Sequence, residues 1–206
     1  MRSEFHEEFV NFGYSLAWYV KIELVYSGRD SVNKRGFEVI TRYQDQQIQL
    51  PQRATHHAAG YDFEAAEDVV IPSVWKAGFK QGLTAVSDAL IPETSAEEKK
   101  IKPVLVPTGI KAYMGEDEFL QLANRSSNPL KRFLILTNGV GVIDSDYYNN
   151  EANEGHIMFQ FTNFGFKDVV IKKGERIGQG IFLPFLKADQ DQTANARQGG
   201  FGSSNQ

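Results

Sequence analysis

FLILTNGVGVIDSDYY, residues Phe133 to Tyr148, is the stretch whose reading decides the fold. Phe133-Leu134-Ile135-Leu136 is an apolar run of the length and composition of a buried strand. Asn138-Gly139 predicts a hairpin turn, and Val140, Val142 and Ile143 resume side chains favoured in strands. Asp144-Ser145-Asp146-Tyr147 follows at once. A carboxylate at the mouth of a rigid hairpin is placed to polarise a water, and a tyrosine three residues on offers a flat face to a sugar or base. The same residues also read as a second turn, because Asp and Ser are turn formers.

The rest of the chain repeats this texture. Phe37-Glu38-Val39-Ile40 alternates, and Asp45 to Arg53 is polar and loop-like. The run His56 to Ala65 closes on Asp62, which by itself reads as a residue at a strand end, and Val69-Val70-Ile71 is a short strand. Further strands are expected at 104–106, 110–113, 119–122, 154–161, 169–171 and 176–185, joined by Gly, Pro and Asn turns. Many short strands at close spacing predict an all-β fold, a sandwich or jelly roll.

Composition sets limits on the chemistry. The 206 residues, 41% hydrophobic and 12% aromatic, suffice for one domain with additions. A net charge of -4 gives no global attraction to nucleic acid or to an anionic membrane, so a polyanionic ligand would need local cations. With no cysteine there is no disulfide, thiolate metal site or thiol nucleophile. His6, His56, His57 and His156 lack the spacing of a zinc site.

Three segments stand apart. Residues 1–33 read as an N-terminal extension of unassigned role. They hold no apolar run of about 18 residues to span a bilayer, and their acidic start is unlike a signal peptide, so a cytoplasmic location is expected. Residues 73–103 read as an insertion into the β domain at 34–187. In it Trp75, Phe79, Leu83 and Val86 recur at helical spacing before a charged run, which fits a surface helix on a tether; a protein partner for it has no support in the sequence. Residues 188–206 form a polar tether and a glycine-rich end, RQGGFGSS, with the parts of a phosphate and base clamp.

Five segments, AAGYDFEA (58–65), NRSSNPLK (124–131), NGVGVIDSDYY (138–148), ERIGQGIF (175–182) and RQGGFGSS (197–204), occur in an order and spacing that resembles the trimeric dUTP pyrophosphatase (dUTPase) family, in its Gram-positive bacterial and phage form. The resemblance covers Gly36 to Ser204 outside the insertion and implies a jelly-roll-like β-sandwich that assembles as a homotrimer. It implies hydrolysis of dUTP to dUMP and pyrophosphate with Mg²⁺, which keeps uracil out of DNA and supplies dUMP for thymidylate synthesis. Asp144 matches the carboxylate that activates the attacking water, and Tyr147 the ring against the deoxyribose. Asn138, Val142 and Ile143 match the segment whose backbone reads uracil. Arg125, Ser126, Ser127 and Gln179 match phosphate contacts, and Asp62 the carboxylate that supports the metal through water. Arg176 matches an arginine of structural rather than direct role. Arg197, Phe201, Gly202, Ser203 and Ser204 match a C-terminal arm that closes over a neighbouring subunit's site.

The sequence departs from the family pattern in four places. Ser127 replaces a common glycine, Gly178 a usual alanine and Asn205 a frequent final glycine, and the loop after Tyr148 is lengthened. None removes a catalytic group. Two rivals are a dCTP deaminase-like enzyme of the same fold, which does not need the GVIDSDYY pattern, and a nucleotide-gated regulatory binding protein, for which residues 73–103 are the only hook.

Overall fold

Alternating side chains build most of this molecule, a computed structural model in which residues 34–76, 102–194 and Arg197 are described. Its strands are β1 (Gly36–Val39), β2 (Gln52–Arg53), β3 (Tyr61–Glu64), β4 (Val69–Ile71), β5 (Val104–Pro107), β6 (Ile110–Tyr113), β7 (Glu118–Asn124), β8 (Leu134–Leu136), β9 (Gly141–Asp144), β10 (Met158–Asn163), β11 (Val169–Ile171) and β12 (Arg176–Pro184). A short helix, α1 (Ser127–Arg132), follows β7, and Thr41–Tyr43 and Ser145–Tyr147 are single 3₁₀ turns. The all-β architecture is the one expected. All but Lys34 of the described residues belong to one unit, Arg35–Gln206.

A five-stranded antiparallel sheet runs in the order β2-β3-β12-β7-β9, and a three-stranded sheet in the order β5-β10-β8. Two ribbons, β1-β6 and β11-β4, complete the layers. Between them lies a core of Phe63, Leu120, Leu134, Phe159, Phe161 and their neighbours, each fully buried. Strand β10 shows the two-residue period plainly: Phe159, Phe161 and Asn163 point inward while Met158, Gln160 and Thr162 are only half-buried. Each buried phenylalanine contributes about 2–3 kcal/mol by leaving water. Asn163 is tolerated inside because its amide donates to Ile71 O (3.0 Å) and Lys167 O (2.9 Å) and accepts from Gly165 N (2.8 Å).

The structure corrects the reading of the opening stretch in two respects. Phe133 is not part of a buried strand. It ends α1 at φ 55° and is 61% exposed, so the strand starts at Leu134. Asn138-Gly139 does turn the chain, with Gly139 N donating to Leu136 O (2.9 Å) and Gly139 at φ +71°. The strands on either side do not pair with each other, however. β8 pairs with β10 and β9 pairs with β7, so the turn carries the chain from one sheet to the other. The Asn-Gly signal reports a tight reversal, not the partners of the flanking strands.

Residues 73–76, which open the presumed insertion, are laced to the loop after β10. Ser73 is fully buried and its hydroxyl donates to Gly165 O (2.6 Å). The Trp75 indole donates to Phe164 O (2.9 Å), and Lys76 pairs with Asp168 (3.0 Å). Phe79, Leu83 and Val86, residues 1–33, and Phe201, Gly202, Ser203 and Ser204 of the arm lie outside the described residues.

Candidate active site

The outer face of the five-stranded sheet carries the candidate residues at two separate places. The first lies where β3 meets β12. Their register sets Gln179 opposite Asp62, so both side chains project from one face. Asp62 is 8% exposed. Its Oδ1 accepts from Gln179 Nε2 (3.0 Å), its Oδ2 from Arg176 Nη1 (3.2 Å), and Arg125 Nε stands 3.8 Å away. A buried carboxylate is tolerated only with such partners. Gly60 makes room for them: a Cβ there would come within 3.1 Å of the Gln179 amide. Beside the cluster opens a cavity of about 300 Å³, lined by Gln52, Arg53, Glu64 and Arg176 among others. Ser126 caps α1 without committing its hydroxyl to the cap, and it is exposed.

The second place is the far edge of the same sheet. Asp144 ends β9 opposite Phe119, with its side chain 48% exposed. Val142 is 56% exposed on this face, whereas Ile143 points into the core. The 3₁₀ turn that follows buries Tyr147, whose hydroxyl donates to His156 O (3.1 Å) and accepts from Asn153 Nδ2 (2.8 Å). Burial pushes the Tyr147 phenol up from its ordinary value, so it stays neutral. Arg197 reaches this place in the same chain. It pairs with Asp144, donates from Nε to Asp146 (2.7 Å), and lies 5.7 Å from the centre of the Tyr147 ring.

Between Asp62 and Asp144 lie three strand spacings and, along β7, the four residue steps from Ala123 to Phe119. At ordinary sheet dimensions that is about 19 Å across the face.

Three residues of this site carried no separate weight in the sequence. Asp146 is the second anchor of Arg197. Asn153, in the lengthened loop after Tyr148, holds the Tyr147 hydroxyl. Asn128 is buried among the groups around Arg125. The DSD spacing was a signal for Asp146; the other two are asparagines in turn-rich segments and had none.

A family model described as dUTPase matches residues 83–205. The chain belongs to the dUTPase family. The match begins inside the segment read as an insertion. The deoxyuridine 5'-triphosphate nucleotidohydrolase of Lactococcus lactis subsp. lactis is 49% identical over 171 residues, 82% of this chain and 96% of the relative. The protein of that name from Desulfitobacterium hafniense is 34% identical over 77% of this chain and 89% of its own. Among solved structures, the dUTPase of Streptococcus mutans superposes with a TM-score of 0.59 at 46% identity, covering 75% of this chain and 98% of that one. The dUTPase of phage phi11 of S. aureus, at 15% identity, shares the fold (TM-score 0.54, covering 79% and 97%).

Proposed function

We infer that this dUTPase family member hydrolyses dUTP to dUMP and pyrophosphate, with Asp144 as the base for a water that attacks the α-phosphate. The observation that carries the reading is the half-exposed Asp144 carboxylate at the end of β9, the strand that leads out of the turn at Asn138-Gly139, in a chain of this family. A carboxylate ionised near neutrality serves as base when its geometry is right. Backbone groups of Asn138, Val142 and Ile143 would read uracil, since a reversed donor pattern in cytosine leaves buried polar groups unpaired. Tyr147, fixed by Asn153 and His156 O, gives the deoxyribose a rigid wall.

Arg125, Ser126, Ser127 and Gln179 would hold the phosphates. Arg125 and Arg176 already surround Asp62, so this end of the sheet concentrates positive charge where a triphosphate brings negative charge. A separation of about 19 Å is too great for one nucleotide's reacting phosphate to sit against both Asp144 and Asp62 of one chain. This supports a homotrimer in which each site is shared, with Arg197, Phe201, Gly202, Ser203 and Ser204 closing on a neighbour.

Among the described residues no three acidic or histidine side chains cluster to cage a metal. The donor set at Asp62 fits a different role. A carboxylate has about four acceptor positions, and Asp62 uses two of them at hydrogen-bonding distance, so it can accept from metal-bound water. Mg²⁺, which keeps several waters, fits such support, and when bound it would neutralise triphosphate charge. A variant of the phage phi11 enzyme has been solved with a structural Mg(II) ion. No described helix is long and apolar enough to cross a membrane, and a cytoplasmic site of action suits a nucleotide substrate. The test is pyrophosphate release from dUTP, dCTP, dTTP and UTP, with and without Mg²⁺. Turnover of dUTP alone is expected; ammonia release from dCTP would assign the deaminase reaction instead.

A further inference from the structure

Strand β12 carries a bulge. Arg176 pairs with Glu64 and Gly178 with Phe63, so Ile177 has no counterpart on β3. A bulge leaves carbonyls outside the ladder, and these look for other donors. Here both donors come from the segment after β7. Arg125 Nη1 donates to Arg176 O (3.3 Å), and Asn128 Nδ2 donates to Ile177 O (2.8 Å). One residue earlier, Glu175 takes Arg132 from the other end of α1. Three consecutive residues, Glu175 just before β12 and Arg176 and Ile177 at its start, thus hold the start, middle and end of the turn and helix at 125–132.

Asn128 is the buried member of this lacing, 4% exposed. Its amide also donates to Asn124 Oδ1 (2.9 Å), and Asn124 in turn donates to Leu134 O (3.0 Å). Both amide hydrogens of Asn128 are therefore committed. The resulting relay ties the end of β7, the start of α1, β8 and the bulge of β12 into one unit. Two residues past the bulge stands Gln179, against Asp62.

We propose that Asn128 is a positioning residue for phosphate binding: its two-way amide locks Arg125, Ser126 and Ser127 onto the bulge of β12 and so fixes their register against Gln179. This rests on the reading of those four residues as phosphate contacts. Aspartate at 128 would face two acceptor oxygens with no hydrogen to give, and the turn would lift from the bulge. Serine keeps one donor and would hold one of the two ties.

The experiment measures affinity for the non-hydrolysable α,β-imido analogue of dUTP and for dUMP, on the full chain with Mg²⁺ at neutral pH. Wild type, Asn128→Asp, Asn128→Ser and a remote core variant, Val106→Ala, are compared. Asn128→Asp is expected to weaken the analogue by about tenfold or more and dUMP by less than about twofold, because dUMP lacks the outer phosphates. KM for dUTP should rise more than kcat falls, and Asn128→Ser should lie between. Val106→Ala should lower the melting temperature and leave the ratio of the two affinities at the wild-type value. If Asn128→Asp does not fold, Asn128→Ser carries the same ratio. A ratio that moves no further in the Asn128 variants than in Val106→Ala would overturn the proposal while dUTP turnover by the wild type still stands. A wild type that releases no pyrophosphate from dUTP would instead remove the reading of the site, and this inference with it.

Discussion

The two ends of one sheet face are built in opposite ways. At β3 and β12, Asp62 is nearly closed off and has its partners in its own chain, with Gln179, Arg176 and Arg125 around it. At β9, Asp144 stands half-exposed on an edge strand, where Arg197 from the distant C-terminal segment pairs with it. The first end is preorganised: its charges are already oriented, so holding a polyanion costs little rearrangement. The second end leaves its carboxylate half open to solvent.

The sharpest way to break this contrast is to remove the base. Asp144→Asn should lower kcat for dUTP by about 10²–10⁴-fold and leave the affinity of the imido analogue within about threefold. Single-turnover assays and calorimetry read the two numbers. Turnover near wild type would take the base role away from Asp144.

The next test asks which chain covers the open end. A chain truncated after Ala196 should stay folded and lose about a hundredfold in turnover. Mixed by mild denaturation and refolding with Asp144→Asn chains, it should regain activity if the arm works on a neighbour. No gain at any ratio would mean that the contact of Arg197 with its own Asp144 and Asp146 is the working arrangement.

A third test separates the ends by pH. His156 lies behind Tyr147, accepts from Gly109 N (3.0 Å) and is held down to about 4 by burial, from an ordinary 6.5. Its folded-state value is depressed, so between those limits the unfolded chain binds more protons. Stability is then full above about pH 6.5 and falls as pH drops towards 4, by about 3 kcal/mol in all. Urea midpoints across that window should show the fall in wild type, and His156→Gln, lower at neutral pH, should lack this component. Equal slopes in both proteins would acquit His156.

The smallest expected effect sits at the closed end. A Cβ on Gly178 would run into the Phe159 ring, so an alanine there would have to displace the ring or the strand. Gly178→Ala should cost about 1–3 kcal/mol, and Phe159→Leu should recover part of it in the double variant. Additive losses in a double-mutant cycle would mean that the strand, not the ring, gives way.

Much of this was legible in the chain. Apolar runs and alternation marked most strands, though not β2 or β3, because a buried strand face leaves its pattern in the residues themselves. The family motifs marked Asp62, Arg125, Asp144 and Gln179, and the structure brings Asp62, Arg125 and Gln179 into one cluster. Tertiary structure alone decided which strands pair. Asn138-Gly139 promised a hairpin and delivered a crossing between sheets, because a turn fixes local direction while pairing is set by where each apolar face finds cover. It alone decided that the bulge at Ile177 needs Asn128, and that Gly178 answers Phe159, nineteen residues earlier. Periodicity records that a side chain is covered; what covers it depends on contacts between segments far apart in sequence, which no local pattern encodes.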